Sequence, residues 1–142
     1  MELARLGPWV VTGLDISESF VRIASDKAKE AGVPVEFHLG NASDMPFQAS
    51  AFDLVVCRAA FKNFTEPIQA LCEMQRVLKP AGTALIIDLR CHAPVEEIRA
   101  HIDSLQLSAI NRFLTQWTLR WILLKNAHCS VQIQEMIAQT PF

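Results

Sequence analysis

Four short apolar runs in this sequence each end on residues that can hydrogen-bond or carry charge: Asp15-Ile16, Asn41-Ala42, Cys57-Arg58 and Asp88-Leu89-Arg90. If the runs are parallel strands, these residues stand at the carboxyl rim of a sheet, where open α/β folds bind their ligands. An acid there can accept hydrogen bonds from both hydroxyls of a ribose, as it does in dinucleotide sites. The same carboxylate also suits the start of a following helix, where its charge meets the positive end of the helix dipole, and the residues alone leave both readings open for Asp15. The pairs Cys91-His92 and His128-Cys129 carry metal-ligating atoms, but adjacent ligands point in different directions. With Cys57 and Cys72 they show no C-x-x-C spacing, so no metal site is expected. No His or carboxylate stands out as a general base, and no catalytic residue is assigned.

These residues need elements to position them. Trp9–Leu14 is an apolar run that reads as a buried strand ending at Asp15. Ser17 suits a helix N-cap; Phe20, Val21, Ile23, Ala24 and Ala28 then recur at helical spacing until Gly32-Val33-Pro34 stops them. Val35–Leu39 alternates as a second strand, which Gly40 ends. The turn-rich Gly40–Pro46 leads to Phe52–Cys57, a third strand. Pro67 opens a helix whose apolar face is Ile68, Leu71, Cys72, Met74, Val77 and Leu78, and Pro80-Ala81-Gly82 breaks it before a fourth strand, Thr83–Asp88. Beyond Asp88 the pattern predicts helices over Pro94–Leu105, Ser108–Lys125 and Ser130–Gln139. Near-continuous apolar strands alternating with amphipathic helices predict an α/β fold with a mostly parallel sheet covered on both faces. Residues 1–142 form one domain on this reading, with the sheet in 1–90 and appended helices in 91–142.

The balance of the chain agrees with a folded domain. Of its 142 residues 51% are hydrophobic and 20% charged. A net charge of −2 without like-charge blocks points away from nucleic acid and anionic membrane as partners. Met1–Val11 lacks the features of a signal peptide, and Phe113–Leu124 is too short and too polar to span a bilayer, so a cytoplasmic protein with reduced thiols is expected.

Four segments taken together are similar to successive motifs of class I S-adenosylmethionine-dependent methyltransferases, most closely the quinone-biosynthesis branch. They are Val11–Ser17, Gly40–Phe47, Phe52–Cys57 and Arg76–Gly82, and the similarity spans Trp9–Arg90. Each segment is loose alone, whereas their order and spacing are specific. The resemblance implies a Rossmann-like three-layer sandwich and S-adenosylmethionine as cofactor, with a small-molecule substrate as methyl acceptor. It implies that Asp15 binds the ribose hydroxyls, Ile16 packs on adenine, and Asn41 accepts from the adenine amino group, standing where the family often has aspartate. The backbone N–H of Ala42 would donate to a ring nitrogen, and Cys57 and Arg58 would lie beside the methionine part. Lys79–Gly82 is a structural turn.

The resemblance also implies a first strand and a glycine-rich loop ahead of Trp9, where only Met1–Pro8 stands, resembling the end of the helix that follows that loop. It places that strand at the centre of the sheet, between the runs at Trp9 and Phe52. Its loss would expose two strand edges, which pair with each other, with another chain, or not at all, and a homo-oligomer through them is one expectation. The resemblance further predicts a closing antiparallel strand pair beyond Phe142. This pattern of a truncated domain implies impaired methyl transfer. The alternative is a non-catalytic oligomerising or interaction module, and a nicotinamide dehydrogenase, which Asp15 alone would suit, fits the Asn41-Ala42 and Arg76–Gly82 segments poorly. Among the remaining residues, Lys62 and Asn63 read as a solvated loop, His38 as a half-exposed strand residue and Asp44 as a local backbone cap. Asp88 and Arg90 are expected to reach the substrate side. Ile110, Phe113, Leu114, Trp117, Trp121 and Leu124 read as a packing stripe.

Overall fold

Backbone pairing divides the chain into two small parallel ladders, each with its own helix. The computed structural model describes residues 2–88, 111 and 130–142. After a short helix α1 (Glu2–Arg5), strand β1 (Val11–Asp15) pairs in parallel with β2 (Val35–Leu39), Val11 opposite Val35 and Asp15 opposite Leu39. Helix α2 (Glu18–Glu30) makes the crossover and packs on both strands. It starts where Ser17 Oγ accepts the Phe20 N–H at 3.4 Å, and it ends before Gly32, whose φ of +62° is one an L side chain rarely adopts.

The second ladder pairs β3 (Phe52–Arg58) with β4 (Leu78–Ile87), again in parallel, from Leu54 opposite Thr83 to Arg58 opposite Ile87. Helix α3 (Pro67–Val77) crosses between them and opens on Pro67, whose missing N–H is harmless in the first turn. β4 follows Val77 directly. Leu78 pairs with Phe52, and the register then slips before Leu54, so residues 79–82 bow out with Ala81 at φ +65°. The expected turn at Pro80-Ala81-Gly82 is thus an excursion inside β4, not a gap before it.

The core lies against α3. Phe61, Leu71, Met74 and Val77 are buried with Met45 and Cys57, and Met136 of α4 (Ser130–Ile137) packs on this cluster. The fold is the expected α/β arrangement with parallel strands, but the strands form two separate pairs, and the break falls between β1 and β3. Those are the two strands that the resemblance separates by one more. The helices expected over Pro94–Leu105 and Ser108–Lys125 fall almost wholly outside the described residues, as do Arg90, Cys91, His92, His128, Cys129, Trp117 and Trp121. Among the described residues no helix is long and apolar enough to cross a membrane.

Leu71 is 1% exposed at the centre of the α3 face. Leu71→Ala is expected to lower unfolding stability by about 2–5 kcal/mol, since the lost methyl groups leave a cavity. Urea titration of both chains measures this, and an unchanged midpoint would place the core elsewhere.

Candidate functional site

The carboxyl ends of β1, β2 and β3 meet at one cavity of about 550 Å³. All six residues picked out above, Asp15, Ile16, Asn41, Ala42, Cys57 and Arg58, border it. The parallel register brings the first four together: Asp15 lies opposite Leu39, and the Gly40 N–H donates to the Asp15 carbonyl at 3.0 Å. Gly40 has to be glycine for close packing, because a Cβ there would meet Leu14 Cδ1 at 2.9 Å and Pro46 Cδ at 3.1 Å.

Asp15 stands both at the start of α2 and at the cavity. Its Oδ1 accepts the Ser17 N–H at 2.8 Å at the entrance to α2, while the side chain remains exposed at the cavity, with Oδ2 outside that bond. Ile16 beside it is 73% exposed. Asn41 Oδ1 accepts the Ser43 N–H at 3.0 Å, an Asx turn, so one lone pair of this oxygen is engaged and a second remains. Asp44 lies in the same turn, its N–H donating to the Asn41 carbonyl at 3.1 Å.

What holds this loop in place is a pair the sequence reading passed over. Glu73 Oε2 accepts the Met45 N–H at 2.8 Å. Arg76 donates from Nε to Glu73 Oε1 at 2.6 Å and from Nη2 to Oε2 at 2.7 Å. Its Nη1 also reaches the Phe47 carbonyl at 2.8 Å, and Nη2 the Met45 carbonyl at 3.0 Å. The two side chains are a turn apart on α3, so the i,i+3 spacing was visible, but their grip on residues 45–47 is a tertiary event. The Arg76 hydrogen bond, outweighing burial, holds the Glu73 carboxyl below its ordinary range. His38 is half-buried, as expected, and meets Phe47 edge to face at 5.2 Å.

On the β3 side Cys57 is buried and Arg58 exposed. Burial first, and then the Asp88 carboxylate, push the Cys57 thiol up, which disfavours a reactive thiolate there. Lys62 corrects the expectation of a solvated loop. It is buried: Nζ donates to Asp88 Oδ1 at 3.0 Å and to the Ala59 carbonyl at 2.8 Å, while its N–H donates to Asp88 Oδ2 at 3.0 Å. Asn63 is exposed and borders the cavity, as solvated-loop residues do. Asp88 therefore braces the turn at Phe61–Asn63 in place of reaching outward. Among the described residues no three His, Cys, Asp or Glu side chains converge in a way that would hold a metal ion.

Comparison with known proteins bears on this geometry. Residues 1–86 match the family model of a methyltransferase domain. A demethylmenaquinone methyltransferase of Listeria welshimeri is 43% identical over 79 residues, which cover 55% of this chain and 34% of that protein. An uncharacterized methyltransferase of Bacillus subtilis, YcgJ, is 39% identical over 77 residues, 54% of this chain and 30% of that one. The chain spans about a third of the length of the curated relatives it matches. Among solved structures, that of YcgJ superposes with a TM-score of 0.66 at 27% identity, covering 92% of this chain and 51% of that one. A SAM-dependent methyltransferase from Aquifex aeolicus gives 0.67 at 18% identity, 92% and 57%, a likeness of fold.

Two outcomes test the braces around the site. Asp88→Ala leaves the Lys62 ammonium buried without its carboxylate and is expected to destabilise the fold by about 3–5 kcal/mol, whereas the paired change Lys62→Met with Asp88→Leu is expected to recover most of that loss. Urea titrations of the two variants decide it. For Glu73 the sign follows from its lowered pKa. Its contribution is fully present above the ordinary value of 4.5 and is lost as pH falls through the lower folded value, so the stability gap between the natural chain and Glu73→Gln should narrow below about pH 4.5. A gap that stays constant down to about pH 2 would detach the pair from folding.

Proposed function

The chain belongs to the methyltransferase-domain family, and on that premise we propose that its cavity binds S-adenosylmethionine for methyl transfer to a small acceptor. One observation carries the reading: six residues chosen from the sequence border a single cavity at the carboxyl ends of three strands. The residues fit the group. Asp15 offers Oδ2, and the second lone pair of Oδ1, to the two ribose hydroxyls. Exposed Ile16 supplies apolar surface for one face of the adenine ring. Asn41 Oδ1 takes the amino group on its remaining lone pair, and the Ala42 N–H donates to a ring nitrogen. Backbone at Cys57 and Arg58 borders the methionine end. When bound, the group supplies a methyl on a positively charged sulfur, already activated for in-line displacement.

The chain's own task is then alignment and exclusion of water. It does the first at the adenosine end, where Gly40, Glu73 and Arg76 fix the loop. It does the second incompletely among the described residues, where the cavity lies between two strands that do not bond to each other. Methyl transfer by this chain alone is accordingly weak or absent. A quinone-like acceptor follows from the Listeria relative's name and is the first to assay. A second reading, favoured by the same unbonded strands, is an interaction module derived from a methyltransferase.

Isothermal titration with S-adenosylhomocysteine separates the two. A dissociation constant of about 1–100 μM, weakened at least about tenfold by Asp15→Ala and untouched by Ser17→Ala, is the expected result. Ser17→Ala removes the helix cap while sparing the carboxylate, so it controls for damage to α2. No heat at about 1 mM ligand would overturn cofactor binding, and a dimer that forms with rising concentration would then favour the interaction module.

A further inference from the structure

The Asn41 side chain is an amide, and an amide presents two unlike ends: the oxygen accepts and the nitrogen donates. Which end faces which way is settled here by a donor. The Ser43 N–H meets the side chain at 3.0 Å, so the oxygen must lie there, and a flipped amide would set Nδ2 against that N–H, donor against donor. Ser43 could relieve such a conflict only by moving, and it is held on both sides. It is 8% exposed, and its Oγ donates to the Glu66 carbonyl at 3.4 Å. Two residues on, the Met45 N–H donates to Glu73 Oε2 at 2.8 Å, and the Met45 carbonyl accepts from Arg76 Nη2 at 3.0 Å. Arg76 is itself closed on Glu73 through two more bonds. Upstream, the Gly40 N–H is tied to the Asp15 carbonyl at 3.0 Å. Asn41 itself is exposed at the cavity. An exposed amide ordinarily turns to suit its ligand, whereas a buried neighbour has already turned this one.

On the cofactor reading of this cavity, on which the inference rests, Asn41 Oδ1 and the Ala42 N–H face the pairing edge of a purine. A 6-amino purine offers an N–H beside a bare ring nitrogen, which matches an acceptor beside a donor. A 6-oxo purine reverses both: its carbonyl meets Oδ1 and its ring N–H meets the Ala42 N–H. Turning the amide over would mend the first mismatch, and the Ser43 N–H opposes that turn. Apolar contact with Ile16 and the Asp15 carboxylate on the ribose are alike for the two bases, so they give no choice between them. We propose that the Asx turn at Asn41, locked through Ser43 by the Glu73–Arg76 pair, makes the site select a 6-amino over a 6-oxo purine. Glu73 and Arg76 are positioning residues in this device, since neither borders the cavity. The selection is strong because a site whose polar groups are left unpaired rejects an analogue far better than one that merely loses apolar contact.

Calorimetric titration of the complete chain with S-adenosylhomocysteine and with S-inosylhomocysteine, its 6-oxo counterpart, tests this. The natural chain is expected to hold the amino form at least about tenfold more tightly. Glu73→Gln keeps the side chain's shape but turns a donor toward Arg76, which loosens the hold on Met45. In that variant the ratio should fall to within about threefold, by weaker binding of the amino form and no loss for the oxo form. Arg76→Lys, which cannot fork between a carboxylate and two carbonyls, should do the same. A role confined to stability weakens both ligands alike and preserves the ratio, so an unchanged ratio in the variants overturns the proposal. A natural chain that binds the two forms less than about tenfold apart also overturns it, needs no variant to fold, and leaves the cofactor reading standing. A natural chain that binds neither at about 1 mM ends the cofactor reading and this inference with it.

Discussion

One helix sets the terms for the rest of the structure. The inner face of α3 buries Ala70, Leu71, Met74 and Val77 against Phe61 and Cys57, and that burial is the source of the core. Its outer turn presents Glu73 and Arg76, which close five hydrogen bonds among themselves and the backbone of Met45 and Phe47. The loop that carries Asn41 and Ala42 is therefore fastened to the most buried element of the second ladder, although it emerges from a strand of the first. Leu14, Ala42 and Phe47 pack on the same core, and Ser43 Oγ donates to the Glu66 carbonyl at 3.4 Å, so the bridge adds to contacts that the strands themselves, among the described residues, do not make. The charge-assisted bonds are the kind that fix geometry as well as adding energy, and the planar Arg76 fork suits a carboxylate on one side and two carbonyls on the other.

The unpaired edges are the complementary constraint. Parallel sheets survive in α/β proteins because both faces are covered and every interior strand is bonded on both sides. Here, among the described residues, β1 and β3 each have one bonded side. The polar rim and the strand edges belong to one cavity yet ask for different chemistry. The rim offers a carboxylate and an amide; the edges offer backbone groups repeating along each strand.

Much of this was legible in the sequence, for reasons that differ by element. The four apolar runs and the helix starts at Ser17 and Pro67 were readable because they are set by local chemistry: β-branched runs, a hydroxyl cap, a residue without an N–H. The rim followed from the ends of those runs. Lys62 was misread because a lysine in a polar loop ordinarily stays in water, and its partner Asp88 is 26 residues away at the end of another strand. Asp15 and Asn41 were picked out and border the cavity, but their bonds to Ser17 and Ser43 depend on turn geometry that residue types only suggest. The start of β4 was misplaced because Leu78 continues the helical stripe of α3 and pairs with Phe52 as soon as the helix ends. Periodicity could not separate those two uses of one leucine.

The separation of β1 from β3 has a consequence for the rim itself. Asp15, Ile16, Asn41 and Ala42 stand on the first ladder, Cys57 and Arg58 on the second, so the distance across the site is the distance between ladders. The clamp on residues 45–47 fixes that distance from below through α3, but along the strands nothing among the described residues ties the two edges together. A ligand reaching from Asp15 to Cys57 must then either hold the ladders at one spacing out of its own binding energy or find the spacing already set. Preorganisation of that kind shows as tighter binding without any new contact to the ligand.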